Sequence, residues 1–267
     1  MSETDRREES SFRSSPTGPR IAPPRGAARR LTVEGPVPLP ARRRLFWSVV
    51  IFLLLSSGVL IRAYRDVSRP EAWAYWRDQY VSPSLSSAVI ANVDLGGAAR
   101  GRRALAVSGE IGPAAASWLR DRLDDAHLVP GDLVLLSSPG GNLNQAVIMG
   151  EAIRARGLST AVGVADASGR VRPAYCASAC VLVYAGGKIR YGVEGSALGV
   201  HRFVNTAAVS DPVADAQRTA GAVLGYVTRM GISSSIVEAM SQTRDVRWLA
   251  PDQALAMNLI TDPVGKR

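Results

Sequence analysis

Three side chains suited to cleaving an acyl bond follow one another along the C-terminal part of the chain: Ser178, His201 and Asp245. A serine hydroxyl is a weak nucleophile until a neighbouring imidazole takes its proton, and a carboxylate can hold that imidazole in place. Ser178 lies in Cys176-Ala177-Ser178-Ala179-Cys180, a serine among small residues at the start of an apolar segment. His201 ends the run Leu198-Gly199-Val200, and Asp245 stands shortly before Trp248-Leu249-Ala250-Pro251. Upstream of all three is Pro139-Gly140-Gly141-Asn142, whose glycines let backbone N–H groups approach a ligand and line a concavity. Taken singly, each feature has a plainer explanation; a PGG turn is common, and a serine before a helix is most often an N-cap. The other histidine, His127, falls in a helix-to-strand connection away from these motifs. The two lysines disfavour a Ser–Lys pair, because Lys188 follows the serine segment and Lys266 adjoins the C-terminus.

These residues need elements to hold them, and the pattern supplies alternating strands and helices. Ala88–Val93 and Ala104–Ser108 read as short strands, and Pro113–Ala126 has apolar residues at helical spacing. Asp132–Ser138 is a buried strand feeding the Pro139–Gly141 loop, Leu143–Arg156 a helix and Ser159–Val164 a further strand. After a polar loop, Asp166–Pro173, the segment Cys176–Ala185 reads as a buried helix. Ile189–Val193 and Ala197–Val200 read as strands, and Pro212–Met230, Ser233–Ser241 and Pro251–Met257 as helices. This alternation predicts one α/β domain with a largely parallel sheet covered by helices.

The chain has 267 residues, 46% hydrophobic and 21% charged, which suits a buried core and excludes a wholly disordered protein. Its net charge is +9. Residues 1–44 carry ten Arg against five acids, while the remainder carries 22 bases against 18 acids. Half the excess thus sits on a Pro- and Arg-rich leader, expected to be disordered, which argues against a nucleic-acid partner. The next 17 residues, Leu45–Ile61, hold no charge and are long enough to cross a bilayer. Arg42, Arg43 and Arg44 bias the N-terminus to the cytoplasmic side, which puts the folded part in the periplasm or otherwise outside the cytoplasm. A cleaved signal peptide could end near Ser56 or Gly58, but so long a charged leader counts against it, and a buried core helix would show a charged face. The expected organisation is a leader over 1–44, a transmembrane helix over 45–61, a linker over 62–86 and a domain over 87–267. Outside the cytoplasm a disulfide between Cys176 and Cys180, four residues apart, can persist. Two free buried thiols, or a zinc site completed by His201, are the alternatives.

The order of the motifs resembles the Clp protease proteolytic subunit of the ClpP/crotonase superfamily. Its strand–GGEI–helix opening is matched by Ala104-Leu105-Ala106-Val107-Ser108-Gly109-Glu110-Ile111, and its strand–SPGG–helix by the stretch Leu135–Ile153. Its serine segment is matched by Ala177-Ser178-Ala179-Cys180 and its strand-end histidine by Leu198-Gly199-Val200-His201. Its closing helix and GLVD motif are matched by Leu249–Ala254 and by Asn258-Leu259-Ile260-Thr261-Asp262. The resemblance runs from about Ala104 to Val264 and implies a ClpP/crotonase-like spiral of ββα repeats. It makes Ser178 the nucleophile, His201 its general base, and the N–H groups of Gly141 and Ala179 the oxyanion donors. The chain departs from the family in having Cys180 where the protease has glycine. Counting back from the closing match puts the family's aspartate at Val246, one residue beyond Asp245.

The resemblance therefore implies a serine peptidase acting on a peptide or protein substrate, with no cofactor and no metal; the apolar span adds lipid contacts through residues 45–61. Homo-oligomers, the family's habit, are expected as well. A silent ClpP-like module that binds peptides or assembles at the membrane is the main rival. Crotonase-type acyl-CoA chemistry uses the same oxyanion geometry without a serine nucleophile, and the pairing of Ser178 with His201 argues against it.

Overall fold

The structure is a computed structural model that describes residues 41–95, 100–203 and 211–264. The chain divides into two units, residues 1–57 and 58–267. The expected leader lies outside the described residues, apart from 41–44, which open helix α1 (Ala41–Val67). The stretch Arg42–Val67 is long and apolar enough to cross a membrane, and it is the one such helix among the described residues. Its apolar side chains from Leu45 to Ile61, apart from Val50, are exposed. The helix outruns the uncharged core at both ends because arginines and Tyr64 are good enough helix formers to continue it.

The second unit builds on a short helix α2 (Pro70–Trp76) that runs into a π-helical turn, Arg77–Val81. Strand β1 (Leu85–Asp94) pairs antiparallel with β2 (Arg100–Gly109). Then follow α3 (Ala115–Ala126), β3 (Leu133–Ser137), α4 (Leu143–Ala155) and β4 (Ser159–Val162). A small hairpin, β5 (Val164–Ala165) and β6 (Val171–Arg172), precedes β7 (Tyr175–Ala177) and α5 (Cys180–Ala185). The remainder comprises β8 (Arg190–Val193), β9 (Ala197–Val200), α6 (Pro212–Arg229), α7 (Ser235–Ser241), β10 (Arg247–Trp248), α8 (Pro251–Ala256) and β11 (Asp262–Val264).

The main sheet has the order β1-β2-β3-β4-β8-β11, parallel from β2 onwards. A second sheet, β10-β9-β7, sets β7 parallel to β9 and β10 antiparallel to it. Strand β3 is buried on both faces, which is why its sequence is a continuous apolar run rather than an alternating one. Val134 and Leu136 join the larger core with α3, α4 and α5, while Leu133 and Leu135 join a smaller one with Ala104, Ala161 and Tyr191. The fold is therefore α/β, with Gly141, Ser178 and His201 in the segments that follow β3, β7 and β9.

Candidate active site

Ser178 is positioned by an abrupt strand-to-helix turn. The expected helix Cys176–Ala185 is corrected here: Cys176 and Ala177 belong to β7, and the helix begins only at Cys180. The reversal is possible because Ser178 takes a left-handed backbone, φ 57°, which costs a non-glycine residue about 1 kcal/mol or more. Such a turn lifts a side chain clear of the strand, the arrangement found at nucleophile elbows generally. The Ser178 N–H donates to the Gly199 carbonyl at 2.8 Å, tying the turn to β9. A disulfide joins Cys176 to Cys180 across the serine, with Cα atoms 5.3 Å apart. Of the three readings of these cysteines, the bonded pair is the one present, and both sulfurs are committed to each other. Helix α5 has only six residues, so the electrostatic contribution at this turn comes from unpaired N–H groups rather than from a long helix dipole.

The glycine turn after β3 is pressed against this serine. Ser138 extends β3 by pairing with β7: its N–H donates to the Tyr175 carbonyl and its carbonyl accepts from Ala177, each at 3.0 Å. A Cβ at Gly140 would lie 2.7 Å from the Cβ of Ser178 and 3.0 Å from the Ala179 nitrogen, so only glycine fits. Ile111 clasps the turn from the other side, donating to the Gly140 carbonyl and accepting from the Asn142 N–H, both at 2.7 Å. Asn142 then caps α4 by accepting from the Gln145 N–H. The N–H groups of Gly141 and Ala179 have no acceptor among the described residues. Two unspent donors thus stand at the contact between the glycine turn and the serine turn.

His201 follows the last residue of β9, and the register pairs Ala177 with Gly199. Ser178 and His201 therefore leave the same ends of adjacent parallel strands, and both are half-buried. Nδ1 of His201 is 2.7 Å from the Arg202 carbonyl. A carbonyl can only accept, so Nδ1 carries the hydrogen and the Nε2 lone pair is left as a base. The Ser178 hydroxyl makes no hydrogen bond to His201 or to any other described residue. Asp245 is exposed, and its carboxylate makes no hydrogen bond to His201. Its loop does run beside the histidine: the Arg202 N–H donates to the Thr243 carbonyl at 2.9 Å, and Arg247 pairs with Val200. The Thr243 hydroxyl donates to the Asp245 carbonyl, closing the loop on itself.

Sequence reasoning did not find the carbonyls of Gly199 and Arg202, the partners that fix Ser178 and His201. A backbone acceptor leaves no side-chain signature. Gly140 was visible as part of the glycine turn, but its contact with the Ser178 Cβ was not.

No protein-family model and no curated protein matches the chain. Among solved structures it is similar to ClpP1 from Listeria monocytogenes, at 13% identity and TM-score 0.48 over 61% of this chain and 92% of that one. A mutant of the same ClpP1 gives the same values. A peptidase from Plasmodium falciparum is similar at 10% identity and TM-score 0.46, over 61% of this chain and 96% of that one.

Proposed function

We propose that this chain is a membrane-anchored serine peptidase, held by Leu45–Ile61 with its N-terminus in the cytoplasm and its α/β domain outside. Its substrate is a flexible or unfolded peptide segment. The observation that carries the reading is the meeting of a left-handed serine with two donors that lack acceptors, those of Gly141 and Ala179.

In this reading the Ser178 Oγ attacks the carbonyl carbon of the scissile bond while its proton passes to Nε2 of His201. The carbonyl oxygen becomes an oxyanion received by the Gly141 and Ala179 N–H groups, each such donor worth roughly 2.7–4 kcal/mol in the transition state. The C–N bond then breaks and His201 returns the proton to the departing amine. A water molecule, giving its proton to His201, attacks the acyl-serine; the C–Oγ bond breaks, His201 returns the proton to Ser178 Oγ and the new carboxylic acid leaves. The Arg202 carbonyl takes the third place, holding Nδ1, while Asp245 stays exposed in the neighbouring loop. A serine–histidine contact that is open without ligand and tightens with it is common in such enzymes.

One observation favours a second reading. The Ser178 hydroxyl and His201 are not hydrogen-bonded, as in a silent module that binds peptides and no longer cuts them. A fluorophosphonate probe separates the two. Labelling of the wild type, absent in Ser178→Ala and strongly slowed in His201→Gln, supports the peptidase. A folded wild type that takes no label supports the silent module.

A further inference from the structure

Helix α2 and the π-helical turn after it present their faces the wrong way round for a soluble protein. Tyr75, Asp78 and Gln79 point into the fold: the Tyr75 hydroxyl meets the Ser117 hydroxyl at 3.0 Å, and the Asp78 carboxylate accepts the Ser84 and Ala114 N–H groups at 2.9 Å. The Ser117 hydroxyl also donates to Gln79 Oε1 at 2.8 Å. These polar contacts clamp α2 and its π-turn onto the start of α3. The outward face is aromatic. Trp73, Trp76 and Tyr80 recur at three and four residues, which sets them on one side. They are 65%, 50% and 68% exposed. The rings of Trp76 and Tyr80 stack with centroids 5.2 Å apart, so the patch is a preformed plate rather than scattered side chains.

We propose that this aromatic plate rests in the headgroup layer of the membrane, a second attachment that fixes how the catalytic domain is presented. The inference rests on the membrane-anchor reading above. Tryptophan and tyrosine suit that layer because their rings are apolar and their N–H and O–H groups are not. Trp73 lies twelve residues beyond Ile61, the last residue of the uncharged span. Arg69 between them has an extended backbone before Pro70, which ends α1 and gives α2 a direction of its own. Between Ile61 and Val81 the exposed charges are Arg62, Arg65, Arg69 and Arg77 against Asp66 and Glu71. The excess of arginine suits anionic lipid headgroups.

Tryptophan quenching in the full-length chain tests this. The wild type and the variant Trp73→Phe/Trp76→Phe are reconstituted in vesicles of phosphatidylcholine and phosphatidylglycerol. Their lipids carry bromine either near the headgroup or near the chain end. Phenylalanine keeps the face apolar, and Trp118 and Trp248 cancel in the difference between the two proteins. Shallow bromine should quench the difference signal more than deep bromine does, and aqueous iodide should barely reach it. Trp47, at the start of the span, is the internal control and should respond to brominated lipid in both proteins. If Trp47 responds while the difference signal is open to iodide and blind to bromine, the plate faces water and the proposal falls while the anchor stands. A difference signal shielded from both quenchers means that a second copy covers the plate, which also overturns it. If Trp47 does not respond, the anchor itself is lost, and this inference with it.

Discussion

A serine forced into the left-handed region is paid for by the rest of the fold, and that gives Ser178 a stability signature separate from its chemistry. Alanine at 178 removes the hydroxyl and keeps the strain; glycine removes both. Ser178→Gly should be about 1 kcal/mol more stable than Ser178→Ala in urea unfolding, with neither variant taking the fluorophosphonate label. An equal pair would mean that the turn is not strained. His201→Gln keeps the side-chain bulk and removes the base, and should lower any hydrolysis by about 10²–10⁴-fold. Gly140→Ala places a methyl 2.7 Å from the Ser178 Cβ. It should abolish labelling, and the companion Asn144→Ala on the exposed start of α4 should not. Asp245 belongs at this scale as well: with its carboxylate exposed and the Arg202 carbonyl on His201 Nδ1, Asp245→Asn should cost far less than His201→Gln. A loss equal to that of His201→Gln would show that the aspartate turns in during the reaction.

Among the elements, the five residues Cys176–Cys180 carry both the disulfide and the proposed nucleophile. Closing so short a loop is worth about 2 kcal/mol by chain entropy alone. Cys176→Ala/Cys180→Ala should unfold at lower urea by that amount and label more slowly, because the turn would lose its brace. Both sulfurs are buried, so a reductant that works on the folded protein must wait for local opening. This segment also shows why the sequence was only partly legible. Strands β3, β8 and β9 and helices α3 and α4 could be placed from periodicity, and the glycine turn and strand-end histidine from their residue types. The run from Cys176 to Ala185 is small and apolar throughout, which suits a buried strand and a buried helix alike. The bend between them falls on a serine, and a left-handed backbone leaves no compositional trace when its residue is not glycine. Asp245 was readable as a carboxylate of the right order but not as an exposed one, since that depends on how its loop closes through Thr243.

Across the whole domain, two tyrosines buried beneath the site set its behaviour in alkali. The Tyr226 hydroxyl donates to the Leu182 carbonyl at 2.6 Å and that of Tyr184 to the Tyr191 carbonyl at 3.1 Å. Burial pushes both far above the usual phenol range. The folded protein therefore keeps both protons where the unfolded chain loses them, near pH 10. Their contribution is complete below that pH and drains away as pH rises above it. The urea midpoint should be flat from pH 8 to 9.5 and fall towards pH 11, with a shallower fall in Tyr226→Phe. Nearby, the Arg190 guanidinium, fully buried, donates to the carbonyls of Leu259, Gly187, Met230 and Asn258. Burial, and then the neighbouring Arg154, holds it below the usual arginine range. Arg190→Met should destabilise by about 2–4 kcal/mol, because several buried carbonyls lose their donor together.

The strands of the main sheet stand in space in the order in which they occur along the chain. For a polypeptide delivered N-terminus first, each of β2, β3, β4 and β8 finds its neighbour in this sheet already in place and lays itself along a waiting border. No early piece must be held apart for a late one to slip between. The exception is the outermost position beside β8, which stays vacant until three more helices have been made and β11 arrives near the C-terminus. A nascent or truncated chain that stops before Asp262 would carry an open flank there, the place where a chaperone, or a stray copy of the same molecule, would find its grip.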